Sequence, residues 1–160
     1  QLPNLIELGL DSESAVLLPS PLPSQVPTFL PSLTCLYLRG NNVDEEVKWG
    51  RVPQWVWGFS QLEEFHLHSF SKDISLGGHW QCLPKLRGLS LWDFPNLKSL
   101  VNVNNITPQQ QQNETTCPTD AQQQIACLSN LQSLTIDSCP ALHLLQELTD
   151  HLGERLDIYR

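Results

Sequence analysis

Apolar residues recur along this chain in a short fixed frame and not on a helical face. The frame reads apolar-x-x-Leu-x-x-apolar-x-apolar. It occurs at Leu2–Leu10, Leu30–Leu38, Phe59–Leu67, Leu83–Leu91 and Leu128–Ile136. Its closing apolar-x-apolar triplet has period two, the period of a strand. Recurrence in one frame argues against chance clustering of leucine and against a leucine-rich helix. A sixth strand is predicted at Arg155–Tyr159, where the alternation returns.

The frames start at positions 2, 30, 59, 83 and 128, so three of the four steps are 24 to 29 residues. Frame and spacing together are those of the leucine-rich repeat, L-x-x-L-x-L-x-x-N/C-x-L. Asn41 and Cys139 fall on its N/C position, and Phe70 and Phe94 stand there in the third and fourth copies. The expected fold class is α/β, a leucine-rich-repeat solenoid. A curved parallel sheet of short strands forms the concave face, and irregular or short helical returns form the convex side. A strand this short cannot bury its leucines alone, so neighbours must stack into one continuous core. Each buried leucine then contributes about 1.5–3 kcal/mol.

The same alternation selects candidate binding residues. Side chains between the leucines face away from the core. The rungs so exposed are Glu7, Gly9, Asp11; Cys35, Tyr37, Arg39; Glu64, His66, His68; Gly88, Ser90, Trp92; Ser133, Thr135, Asp137; and Arg155, Asp157, Tyr159. Tyr, Trp and Arg are the side chains that most often anchor interfaces. Tyr37, Arg39, His66, His68, Trp92 and Asp137 are therefore the candidate partner-binding residues on the concave face. Trp49, Trp55 and Trp57 fall before the third copy and are expected to pack in its return segment.

The connections differ from one another. Residues 19–31 hold Pro19, Pro21, Pro23, Pro27 and Pro31, which forbids a regular helix and favours an extended, polyproline-like path. Residues 101–127 contain seven Gln and four Asn and no Lys or Arg. They read as a disordered polar insertion between the fourth and fifth repeats.

Composition narrows the function. The chain has 160 residues, 40% hydrophobic, enough for one domain with a core or for a piece of a larger one. Nine Lys and Arg stand against 17 Asp and Glu, a formal charge of -8. That balance argues against nucleic acid and against an anionic membrane surface. No apolar run is long enough to span a bilayer, and no secretory signal opens the sequence. The chain begins at Gln1 and contains no Met, so 1–160 is expected to be a repeat region cut from a larger protein. The cysteines, Cys35, Cys82, Cys117, Cys127 and Cys139, form no C-x-x-C pair and read as reduced thiols of a cytoplasmic protein.

Catalytic patterns are poor. Neither Gly-x-Ser-x-Gly nor His-Glu-x-x-His occurs, so no enzyme is expected. His66 and His68 share a strand face, but no third metal ligand has a defined position. Glu45, Glu46, Glu63 and Glu64 read as solvated charges. No cofactor is expected to bind this chain, since no G-x-x-x-x-G-K-[ST] loop is present.

Two segments repeat each other without gaps, Leu86–Leu100 and Leu131–Leu145. Leu86, Leu89, Leu91, Pro95, Leu97 and Leu100 recur as Leu131, Leu134, Ile136, Pro140, Leu142 and Leu145. The pattern L-x-x-L-x-I-x-x-C-P-x-L, as the second segment has it, resembles the C-terminal repeats of plant intracellular nucleotide-binding leucine-rich-repeat immune receptors, notably the coiled-coil class. The stretch Val52-Pro53-Gln54-Trp55-Val56-Trp57-Gly58-Phe59-Ser60-Gln61-Leu62 also resembles the repeat openings of that family. The resemblance implies a protein–protein interaction module of a disease-resistance receptor. It implies that these repeats sense a pathogen effector or a guarded host protein and restrain an upstream nucleotide-binding module. ADP or ATP would belong to that module and not to this chain.

The alternative is an extracellular leucine-rich-repeat receptor or inhibitor that binds a secreted ligand. The triplets Asn105-Ile106-Thr107 and Asn113-Glu114-Thr115 are glycosylation acceptors in that setting. The strict 24-residue period and G-x-I-P return of the extracellular plant class are absent. A ubiquitin-ligase adaptor would need an F-box-like helical segment, and this chain has none.

Overall fold

The computed structural model describes residues 4–12, 28, 30–40, 50–102 and 120–159. Six strands run through them: β1 Glu7–Asp11, β2 Cys35–Arg39, β3 Glu64–His68, β4 Gly88–Trp92, β5 Ser133–Asp137 and β6 Leu156–Tyr159. All pair in parallel, and their order in the sheet is their order in the chain. Two helices are described, α1 Asp120–Ser129 and α2 Gln146–Leu152. Short 3-10 turns cover Gln54–Gly58, Trp80–Cys82 and Gly153–Arg155. The fold is thus α/β, with one all-parallel sheet and few helices.

The leucine frame sets the register. Leu8, Leu36, Phe65, Leu89, Leu134 and Leu156 form one row across the sheet. Leu10, Leu38, Leu67, Leu91, Ile136 and Ile158 form the second. In β2 to β5 both rows are buried in the core. A shift of one residue would turn each row to solvent, so burial specifies the pairing strongly.

Strands β2 to β5 also start in the same way. Two successive N–H groups donate to one carbonyl of the preceding unit. Thr34 and Cys35 donate to Ile6, each at 2.9 Å; Glu63 and Glu64 to Thr34 at 2.7 and 2.9 Å. Arg87 and Gly88 share the carbonyl of Glu63, and Gln132 and Ser133 that of Arg87. The residue after β3, β4 and β5 is left-handed: Ser69, Asp93 and Ser138 have φ of 60, 57 and 53°. Short polar side chains tolerate this conformation because they bond locally.

The returns supply the other wall of the core. Trp80 is buried, and its indole Nε1 donates to the Leu100 carbonyl at 2.7 Å. Trp57 meets it edge-on with centroids 5.2 Å apart. Trp55 is half-buried and edge-on to Phe59 at 6.0 Å. Both tryptophans therefore pack in the return segment; Trp49 lies outside the described residues. At the expected N/C row, Phe70 and Phe94 are fully buried and their rings are 5.7 Å apart. Cys139 continues that row, its thiol donating to the Asp137 carbonyl at 3.2 Å. Asn41 lies outside the described residues.

Two expectations change. Within 101–127, residues 103–119 are outside the described set, but Asp120–Ser129 is helical, so the last part of the polar segment is ordered. Leu128 is buried and Ile125 half-buried. Gln124 is 1% exposed, and its Oε1 accepts from Gly78 N at 2.9 Å and Asn102 N at 3.0 Å. A glutamine counted as a sign of disorder is here a clasp. Secondly, β6 starts at Leu156 and not at Arg155. Arg155 leaves the face; its guanidinium donates to the Leu131 carbonyl at 2.8 Å and its Nε to Leu152. The Pro-rich segment before Pro27 and both glycosylation triplets lie outside the described residues.

Candidate functional site

The rungs between the leucines form the sheet face opposite the core. Across β2, β3 and β4 that face carries a column of flat rings. Tyr37 stacks on His66 with centroids 4.3 Å apart and planes 8° from parallel. His66 continues onto Trp92 at 5.9 Å and 10°. Parallel strands place these side chains at one strand spacing, about 4.8 Å, which suits stacked rings.

Five of the six sequence candidates meet here. Tyr37, Arg39, His66, His68 and Trp92 line an open hollow of about 360 Å³, together with Gly9 and Asp11. Asp137 is in register with Trp92 on β5 but stands beyond the hollow, and its Oδ1 accepts from Ser138 Oγ at 2.7 Å.

His66 is held by both neighbours, and its side chain is only 17% exposed. Its Nε2 lies 3.9 Å from Glu64 Oε2. Its Nδ1 is buried and has no hydrogen-bond partner among the described residues. Burial holds the imidazole below its ordinary pKa, against the opposing pull of Glu64 and Glu7. His66 is therefore a neutral stacking ring at neutral pH. The Cys35 thiol is pushed up, first by burial, and the Tyr37 phenol by its hydrogen bond with Cys35. Glu7 and Glu64 push both the same way, so their negative field reaches the ring column.

His68 is fixed differently. Ser69 Oγ donates its one proton to Asp93 Oδ2 at 2.7 Å and lies 2.6 Å from His68 Nδ1. The imidazole must then supply the proton of the second bond, which makes Nδ1 the protonated nitrogen. The serine bridges histidine and carboxylate here. In a nucleophilic triad the histidine bridges. The arrangement holds a ring in place and activates no nucleophile.

Several contributors escaped sequence reasoning. Gly88 matters by its missing side chain: a Cβ there would sit 2.0 Å from Glu64 Oε2. Its absence lets that carboxylate lie across β4. Gly9 opens the hollow beside Tyr37. The legible signal was a glycine on the face position of an alternating strand. The Ser69–Asp93 bond, spanning two turns, had no such signal.

Among the described residues no group of three or more His, Cys, Asp and Glu could hold a metal. Cys35, Cys82, Cys127 and Cys139 are free thiols. No helix of the described residues is long and apolar enough to cross a membrane. Comparison with protein families, curated proteins and solved structures yields no match to this chain.

Proposed function

We propose that the chain is a leucine-rich-repeat solenoid acting as a protein-interaction module, and that it binds its partner on the face of Tyr37, His66 and Trp92. The observation that carries this reading is the stacked ring column on the solvent side of the sheet. Aromatic rings normally go to the core; here three strands spend them outside it, where they offer a rigid anchor of low entropy cost. The equal starts of β2 to β5 and the sequential parallel order support the repeat architecture. The resemblance of Leu86–Leu100 and Leu131–Leu145 to plant intracellular immune receptors supports a finer reading. The module then senses an effector or a guarded host protein and restrains a nucleotide-binding module in the cytoplasm.

Site-specific photocrosslinking tests the binding face. A benzoylphenylalanine at Tyr37, and separately at exposed Lys85 as control, is irradiated in plant leaf extract. Adducts are identified by mass spectrometry. A defined protein captured at Tyr37, missing at Lys85, and reduced about tenfold by Trp92→Ala is the expected result. Equal capture at both positions, or capture indifferent to Trp92→Ala, overturns the proposal.

A further inference from the structure

β4 and β5 pair at an offset of 45 residues, Gly88 with Ser133 and Leu89 with Leu134. The same offset joins Cys82 to Cys127. Each cysteine stands six residues ahead of a partner in the pair Gly88–Ser133, and just ahead of a buried leucine, Leu83 or Leu128. The turns that follow are alike: Leu86 N donates to the Leu83 carbonyl at 3.2 Å, and Leu131 N to that of Leu128 at 3.1 Å. Two like paths leading into paired strands run side by side, and the cysteines are neighbours across them.

Hydrogen bonds pin these paths on both sides of the cysteines. After them, Gln132 N donates to the Arg87 carbonyl at 2.6 Å. Ahead of them, Gln124 Oε1 accepts from Gly78 N at 2.9 Å. Gln124 and Cys127 are three apart on α1 and so share a helix face. Gly78 is tied to the turn of Cys82 by Gln81 Nε2, which donates to its carbonyl at 3.0 Å. Helix α1 accordingly packs against the turn Trp80–Cys82. Paired strands lie about 4.8 Å apart, within the Cα spacing of about 4.4–6.8 Å that a disulfide spans.

Their surroundings set the order of reaction. Cys82 is exposed and Cys127 half-buried, so a dissolved oxidant meets Cys82 first. Burial raises the Cys127 thiol above its ordinary pKa, and the nearby charge of the Cys82 thiolate raises it further. Capping Cys82 removes that charge and lets Cys127 ionise more readily. Cys35 and Cys139 lie on other rows of the sheet, and Cys117 lies outside the described residues.

We infer that Cys82 and Cys127 form a dithiol site, which a small disulfide such as oxidised glutathione closes into a bond between neighbouring returns. The Cys82 thiolate attacks one sulfur of the glutathione disulfide and releases a glutathione thiolate. The Cys127 thiolate then attacks the Cys82 sulfur, forms the internal bond and releases the second glutathione. Two protein thiols give up two electrons and two protons, and both leave with reduced glutathione. The bond encloses 44 residues and staples α1 to the unit of β4. It is independent of the ring face.

The test incubates the whole chain with oxidised glutathione, alkylates free thiols and digests with trypsin and an Asp-directed protease. Mass spectrometry should find Asp73–Lys85 linked to Asp120–Ile136 as the main product, and dithiothreitol should reverse it. In denaturing urea Cys127 should turn to Cys117 instead, since the shorter loop closes more easily. The native bond should raise Tm by about 5–10 °C. Cys82→Ser should lose both bond and shift while its reduced form melts within about 1 °C of the parent. Cys117→Ser should keep both. Glutathione adducts on Cys82 and Cys127 without a link overturn the site. So does a link that forms only in urea, or one that lowers Tm.

Discussion

His66 shows how one side chain can be read from its neighbours on both sides. Its alternating position placed it on the face, and the structure sets it between two rings. Burial lowers its pKa, whereas the unfolded chain titrates near the ordinary value of 6.5. As pH falls through 6.5 the unfolded state takes the proton first, so the folded state loses relative stability until the lowered value is passed. Asp73 opposes this at lower pH, since burial raises its carboxyl despite the Val52 N–H at 2.7 Å. Urea midpoints are therefore expected to fall between pH 7 and pH 5.5, and His66→Gln should lessen that fall. An identical slope in the variant would contradict a buried neutral imidazole. The residue types on the face were legible from period two alone. The pairings His68–Ser69–Asp93 and Glu64 over Gly88 were not, because they depend on neighbouring turns and on a missing side chain.

Among the elements, β1 to β5 could be located in the sequence because each repeats one apolar frame. Helix α1 could not, since its anchor is a glutamine inside a Gln-rich stretch. Composition reports averages, whereas Gln124 acts through two particular N–H groups, those of Gly78 and Asn102. Gln124→Ala should remove the acceptor that the two share and destabilise the fold by about 2–4 kcal/mol, seen as a lower urea midpoint at unchanged slope. Gln124→Glu keeps an acceptor and should recover part of that loss. Gly77 guards the same junction, as a Cβ there would stand 2.1 Å from Asn102 N. Gly77→Ala should therefore destabilise too, although Ala suits most backbones better than Gly. β6 began one residue later than its alternation implied because Arg155 finds carbonyls to bond at Leu152, just before it, and at Leu131, ahead of β5.

At the scale of the molecule, burial grades along the sheet. Leu89 and Leu91 in β4 are at most 1% exposed, whereas Leu8 and Leu10 in β1 are half-buried and Ile158 in β6 is 50% exposed. Amide exchange should be slowest in β3 and β4 and fastest in β1 and β6, since local opening is hardest where it must expose the most apolar surface to water. Leu89→Asp should abolish the cooperative transition, because a carboxylate cannot be hydrated there. Leu8→Ala should cost clearly less than Leu36→Ala, for which about 2–5 kcal/mol is expected.

The strict alternation along each strand has a consequence for descent. Side chains that hold the fold and side chains that meet the outside occupy different codons of the same short strand. Selection can therefore rewrite Cys35, Ser90 or Thr135 almost independently of the leucines beside them. A lineage carrying this sheet can drift through many face chemistries while inheriting one scaffold, and a library randomised at those positions should yield mostly folded members.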